Sequence, residues 1–194
     1  MSFFGTSPNK YLIKFLLSLL IIGVLVGIYV YLKQPNLVKT SIINELTMLN
    51  DILKNTNQNN FIYHILLLSL IIFLSIIIIG LPFILFYLFY EGISIGFLIA
   101  SFFHYQKISG LLYSLIFTLI NKLIIYVALI YILIITINYS KKVVLSIKRK
   151  DYKIYEYLFT HLVRMIFICL IILIYDIFIY FFGNKILLYF IFLL

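Results

Sequence analysis

Long apolar runs alternate with short polar breaks along this chain, and the lengths of the runs carry the first inference. Five runs, 11–32, 61–79, 82–104, 111–140 and 158–182, each reach the roughly 20 residues that an α-helix rising ~1.5 Å per residue needs to cross a ~30 Å hydrocarbon layer. The pattern predicts an all-α fold: a polytopic membrane helix bundle with five transmembrane helices, forming a single integral membrane domain over 1–194. The first run is too long for a signal-peptide core and ends without a small-residue cleavage pattern, so it reads as an uncleaved span. The second and third are hinged at Gly80-Leu81-Pro82, too tight for anything but a helical hairpin. Gly183-Asn184-Lys185 is expected to stop the fifth helix, leaving the apolar tail 186–194 too short to span.

The polar breaks differ in character. Within the segment 33–60, Ile42, Leu46, Leu49 and Leu53 recur at helical spacing, with Glu45, Asn50 and Asp51 off that stripe. This predicts a short amphipathic helix in an outer loop. It rests on the membrane surface or the bundle, or serves as a docking face for another protein outside the cell. The segment 141–157 carries Lys141, Lys142, Lys148, Arg149, Lys150 and Lys153. Such an excess marks a cytoplasmic loop, and it is also the composition of an anionic-lipid site. Counting back four crossings places the amino terminus in the cytoplasm, in agreement with Lys10 and Lys14, and the carboxyl terminus outside. Lys33, Lys39 and Lys54 in the outer segment run against this assignment.

Composition excludes several classes. At 65% hydrophobic and 11% charged residues, with mean hydropathy +1.19, the chain has too little polar surface to cover a soluble core. The net charge of +9 sits in loops, so it is an orientation signal and not a nucleic-acid footprint. Membrane lipids are the implied surroundings. One cysteine, Cys169, excludes an intramolecular disulfide and a cysteine-rich metal site. His64, His104 and His161 share no metal-ligand spacing and read as structural. Ser69, Ser75 and Ser94 lack a histidine partner at a known spacing. No metal, cofactor or catalytic group is therefore expected, and the chain does not read as an enzyme.

Four polar residues lie inside apolar runs: Glu91, Asn121, Lys122 and Asp176. A carboxylate near mid-bilayer costs about 2.5–3.5 kcal/mol on insertion scales, so each needs a partner. Glu91 precedes the turn near 106–107 by about as many residues as Lys122 follows it. The two should share a depth and form an ion pair. Asp176 either approaches Lys122 and Asn121 or reaches the outer interface. Gly92 and Gly96, four apart, fit a face that lets two helix backbones approach closely.

At Gly80-Leu81-Pro82-Phe83, at Gly92-Ile93-Ser94-Ile95-Gly96-Phe97 and at Asp176, the chain resembles the stage II sporulation protein M family. The resemblance implies five spans, a proline-marked helix break before the third, and an acid near the outer end of the fifth, where Asp176 stands. Asn121 falls where many members carry a polar motif flanked by prolines, which are missing here. Glu91 and Lys122 replace positions that are usually uncharged, and the tail from Lys185 exceeds the usual ending. The implied function is non-enzymatic: a membrane scaffold positioning membrane-anchored peptidoglycan-remodelling proteins in the cell envelope, during engulfment where the host sporulates. The competing expectation is a small transporter or channel subunit with Glu91, Asn121, Lys122 and Asp176 lining a polar path.

Overall fold

The computed structural model describes the main chain over 10–55, 61–150 and 154–193, with side chains throughout except at 49–55, 61–64, 78, 121, 180 and 184–193. Every element is helical and no strand occurs among the described residues. Helix α1 is Lys10–Leu32, α2 Asn36–Asn55 and α3 Phe61–Ile76; a 3-10 turn at Ile78–Gly80 leads into α4, Leu81–Arg149, and α5 is Ile154–Leu193. The all-α membrane bundle expected from the apolar runs is the observed architecture. Four segments are long and apolar enough to cross a membrane: Lys10–Leu32, Leu81–Ile120, Lys122–Arg149 and Ile154–Gly183. The expected second span is the exception, because its apolar helix stops at Ile76.

α4 is one helix in name only. Gln106 (φ −126°, ψ 15°) and Lys107 (φ 53°, ψ −123°) leave helical geometry and divide it into arms over 81–105 and 108–149. The ring of Phe102 packs 5.0 Å from that of Tyr113, and a Cβ on Gly110 would strike the Phe102 carbonyl. Residues eight apart in a straight helix stand about 12 Å apart along its axis, so the chain turns back on itself at 106–107. The chain also turns sharply at the hinge before α4. A Cβ on Gly80 would strike the Leu74 main chain, which a helix continuing from α3 would have left about 9 Å behind. Pro82 then sits in the first turn of α4, where its missing N–H costs nothing.

Two expected boundaries are corrected. The basic segment 141–157 is mostly helix: the second arm runs unbroken through Arg149 and closes on Lys150, whose left-handed conformation (φ 53°, ψ 38°) directs its N–H to the Ile147 carbonyl. α5 resumes at Ile154. Lysine and arginine are good helix formers, so their cluster does not interrupt the helix. Likewise Gly183-Asn184-Lys185 does not stop α5, which continues to Leu193. Gly183 keeps a negative φ and is tolerated at about 1 kcal/mol relative to alanine.

α1 packs on the first arm of α4 by direct backbone approach. A Cβ on Gly23 would lie 2.5 Å from the Phe89 carbonyl oxygen and 3.1 Å from Cα of Gly92; one on Gly92 would lie 2.6 Å from the Leu20 carbonyl oxygen. Gly27 and Gly96 face the Ile93 and Val24 carbonyls more closely still. Farther along, the Tyr31 ring packs edge-on at 5.3 Å from that of Phe97, and its hydroxyl bonds His104 Nδ1 at 2.9 Å. Numbers rise together on both helices, so the two run parallel. The common core joins Leu16 of α1, Leu68 and Ile71 of α3, Ile84, Leu88, Leu129, Ile132 and Leu133 of α4, and Met165 and Ile172 of α5.

Enlarging Gly27 or Gly96 to leucine should separate α1 from the first arm, an overpacking loss of about 1–3 kcal/mol or more. Gly183→Ala should cost less, because a Cβ there meets only the Ile179 side chain and no main-chain atom. Thermal melting of the detergent-solubilised chain checks the contrast. Lys107 occupies a conformation that glycine tolerates far better, at a strain of about 1–3 kcal/mol. Lys107→Gly should therefore raise the melting temperature.

Candidate functional site

The polar cluster inside the bundle is built by the turn at 106–107. Folding the two arms of α4 together places Glu91 opposite Lys122, and Lys122 Nζ stands 3.1 Å from Glu91 Oε2. Each residue brings a tyrosine from one turn along its own helix, the spacing at which side chains share a face. The Tyr87 hydroxyl donates to Glu91 Oε1 at 2.6 Å and the Tyr126 hydroxyl to Oε2 at 3.3 Å. Glu91 is 9% exposed and accepts three hydrogen bonds, so its charge is compensated where water is scarce. Lys122 is the more open partner, with its side chain 34% exposed.

Asp176 lies half-buried on α5 and has interactions of its own. The hydroxyl of its neighbour Tyr175 donates to the main-chain carbonyl of Ile120, which sets Asp176 at the level of the Glu91–Lys122 pair. The side chain of Asn121 lies outside the described residues. Gly80 and Pro82 make the hinge, and Gly92 and Gly96 make the contact with α1. On α2, Ile42 and Leu46 are half-buried and the helix lies against α4 and α5; the side chains of Leu49 and Leu53 fall outside the described residues, as does that of His64.

Several participants escaped the sequence reading. Gly23 and Gly27 form a second glycine pair four apart, a signal present in the first apolar run. Tyr87 and Tyr126 stand four residues from the charges they serve. Ser75 is not isolated: His161 Nε2 lies 3.1 Å from its Oγ, a pair 86 positions apart that no spacing rule could find. The Ser75 hydroxyl donates to the Ile72 carbonyl at 2.7 Å, so it accepts from Nε2–H and its own proton is committed. Both residues are buried, and the imidazole stacks on Tyr139 at 4.2 Å. This is a tie from α3 to α5, with no arrangement for nucleophilic attack. Among the described residues no group of histidine, cysteine, aspartate and glutamate could hold a metal ion.

Removing the Lys122 charge should destabilise the bundle by about 3–5 kcal/mol, because Glu91 is left buried and uncompensated; removing the Glu91 charge should cost less, because Lys122 is the more open partner. Glu91→Lys combined with Lys122→Glu should recover much of that loss. Expression and melting temperature of the two single variants and the double variant form the cycle; independent, additive losses would show that the pair does not couple the arms.

Comparison with curated proteins and with solved structures yields no match to either. The sequence profile described as stage II sporulation protein M matches residues 16–191. That stretch holds all but the first few residues of α1, both glycine pairs, the Glu91 cluster and Asp176. Its several apolar helices make the chain a multi-pass membrane protein, and it belongs to the stage II sporulation protein M family.

Proposed function

We propose that this sporulation-related membrane protein is a non-enzymatic scaffold that positions membrane-anchored peptidoglycan-remodelling proteins on the outer face of the cell envelope. The observation that carries the proposal is the enclosure of the buried Glu91 carboxylate by its three hydrogen-bond partners. A transport path needs polar groups that open to one face. Here Glu91 is sealed between Tyr87, Lys122 and Tyr126, and the neighbouring Gly92 is pressed against α1. Charges spent on joining helices favour a rigid platform over a moving gate.

The proposed topology has five crossings, with the amino terminus in the cytoplasm and the carboxyl terminus outside. The parallel course of α1 and the first arm of α4 supports it, since the chain must return between them, and α3 with its 3-10 turn is the available path. Lys10 and Lys14 then share the end of the bundle that carries Lys141, Lys142, Lys148 and Arg149, as the positive-inside bias requires. The contrary Lys39 has another use: its Nζ donates to the Leu32 carbonyl at 2.8 Å, capping the negative end of α1.

On this reading α2 is the docking element on the outer face. Its exposed Leu37 and Met48 supplement the Ile42–Leu53 stripe. A pull-down of tagged protein from its own cells in mild detergent should recover peptidoglycan hydrolases, and removal of 40–54 should abolish the recovery. Recovery of an ATPase or a solute-binding protein in their place would favour a transport subunit.

A further inference from the structure

We propose that the tip of the helical hairpin formed by the second arm of α4 and α5 is a binding surface for anionic phospholipid headgroups, seated in the headgroup layer and not in water. The second arm and α5 are tied together at this end. Tyr139 stacks on His161, Lys142 Nζ lies 5.6 Å over the Tyr157 ring, and Lys150 caps α4. Val143 and Ser146 are buried on one side. On the opposite side Lys141, Leu145 and Lys148 follow one another at helical spacing, beside Val144, and all four are exposed.

Two features separate this surface from a solvated basic end. The first is the interleaving of apolar groups. Val144, Leu145 and Ile147 are exposed among the lysines, and across the hairpin Tyr155 is 83% and Phe159 69% exposed. Such a mixture is disfavoured in water but suits the boundary where apolar groups meet acyl chains while lysine stems reach outward to phosphates. The second is the charge balance. Lys141, Lys142, Lys148, Arg149 and Lys150 are all exposed, against Glu156 as the acid among the described residues of the tip. Lys148 and Arg149 could be assigned to the helix C-terminal dipole, whose influence ends within the last turn. Lys141 and Lys142 lie beyond its reach and have no carboxylate counter-ion among the described residues. Phosphates of an anionic leaflet supply one.

The chain has no tryptophan, so Ile147→Trp introduces a single reporter at the tip. Full-length I147W is reconstituted into phosphatidylcholine vesicles containing phosphatidylglycerol, with one lipid or the other brominated on its acyl chains at equal fraction. Brominated phosphatidylglycerol should quench the emission more strongly than brominated phosphatidylcholine. Lys141→Gln with Lys148→Gln should shrink the difference, by about fivefold in lipid preference per charge, while arginine at both positions should retain it. Equal quenching by the two lipids overturns the selectivity, and absence of quenching by either overturns the location. The result is independent of the scaffold reading, since no protein partner is present in the vesicles.

Discussion

In hydrocarbon no hydrophobic force drives one helix onto another, so association must come from close packing and internal polar bonds. This bundle uses both on opposite sides of one helix. On the first arm of α4, Phe89, Gly92, Ile93 and Gly96 face α1. At about 100° per residue, Tyr87 and Glu91 point the other way, toward the second arm, where Lys122 and Tyr126 meet them. The arm is therefore the central member. Backbone contact fixes α1 to it and a charged contact fixes its sequel, and each depends on the absence of bulk or the presence of charge at single positions.

How much of this was legible in the sequence depends on the range of the interaction. Apolar runs announced membrane helices because their length is set by the bilayer. The Glu91–Lys122 pair was legible because a short turn makes depth a matter of counting outward from 106–107. Gly92 and Gly96 were legible as a contact face, but the face they meet was not: it belongs to a helix remote in sequence, although Gly23 and Gly27 carry the same spacing. The Ser75–His161 bond left no trace at all, since two isolated polar residues on separate helices carry no periodic signal.

Helix ends were less legible than helices. The second arm, over 108–149, extends about 60 Å, and α5, with 40 residues, does the same. Both exceed a ~30 Å hydrocarbon core. Hydropathy reports the part of a helix that lies in lipid, whereas backbone hydrogen bonding continues through any good helix former. Lysines past Ser140 and the glycine at 183 changed the solvent preference of the chain without interrupting its hydrogen bonds.

The parallel contact between α1 and the first arm also orders the birth of the molecule. Tyr31 and His104 are 73 positions apart, and the glycine face of α1 has nothing to pack on until that later stretch has left the ribosome. α1 must therefore enter the bilayer as a solitary helix, stable by hydropathy alone, and wait with its small-residue face turned to lipid. Two further helices and a 3-10 turn are made before its partner arrives. Any chain interrupted ahead of Gly92 would leave that face open to other small-residue helices in the same membrane.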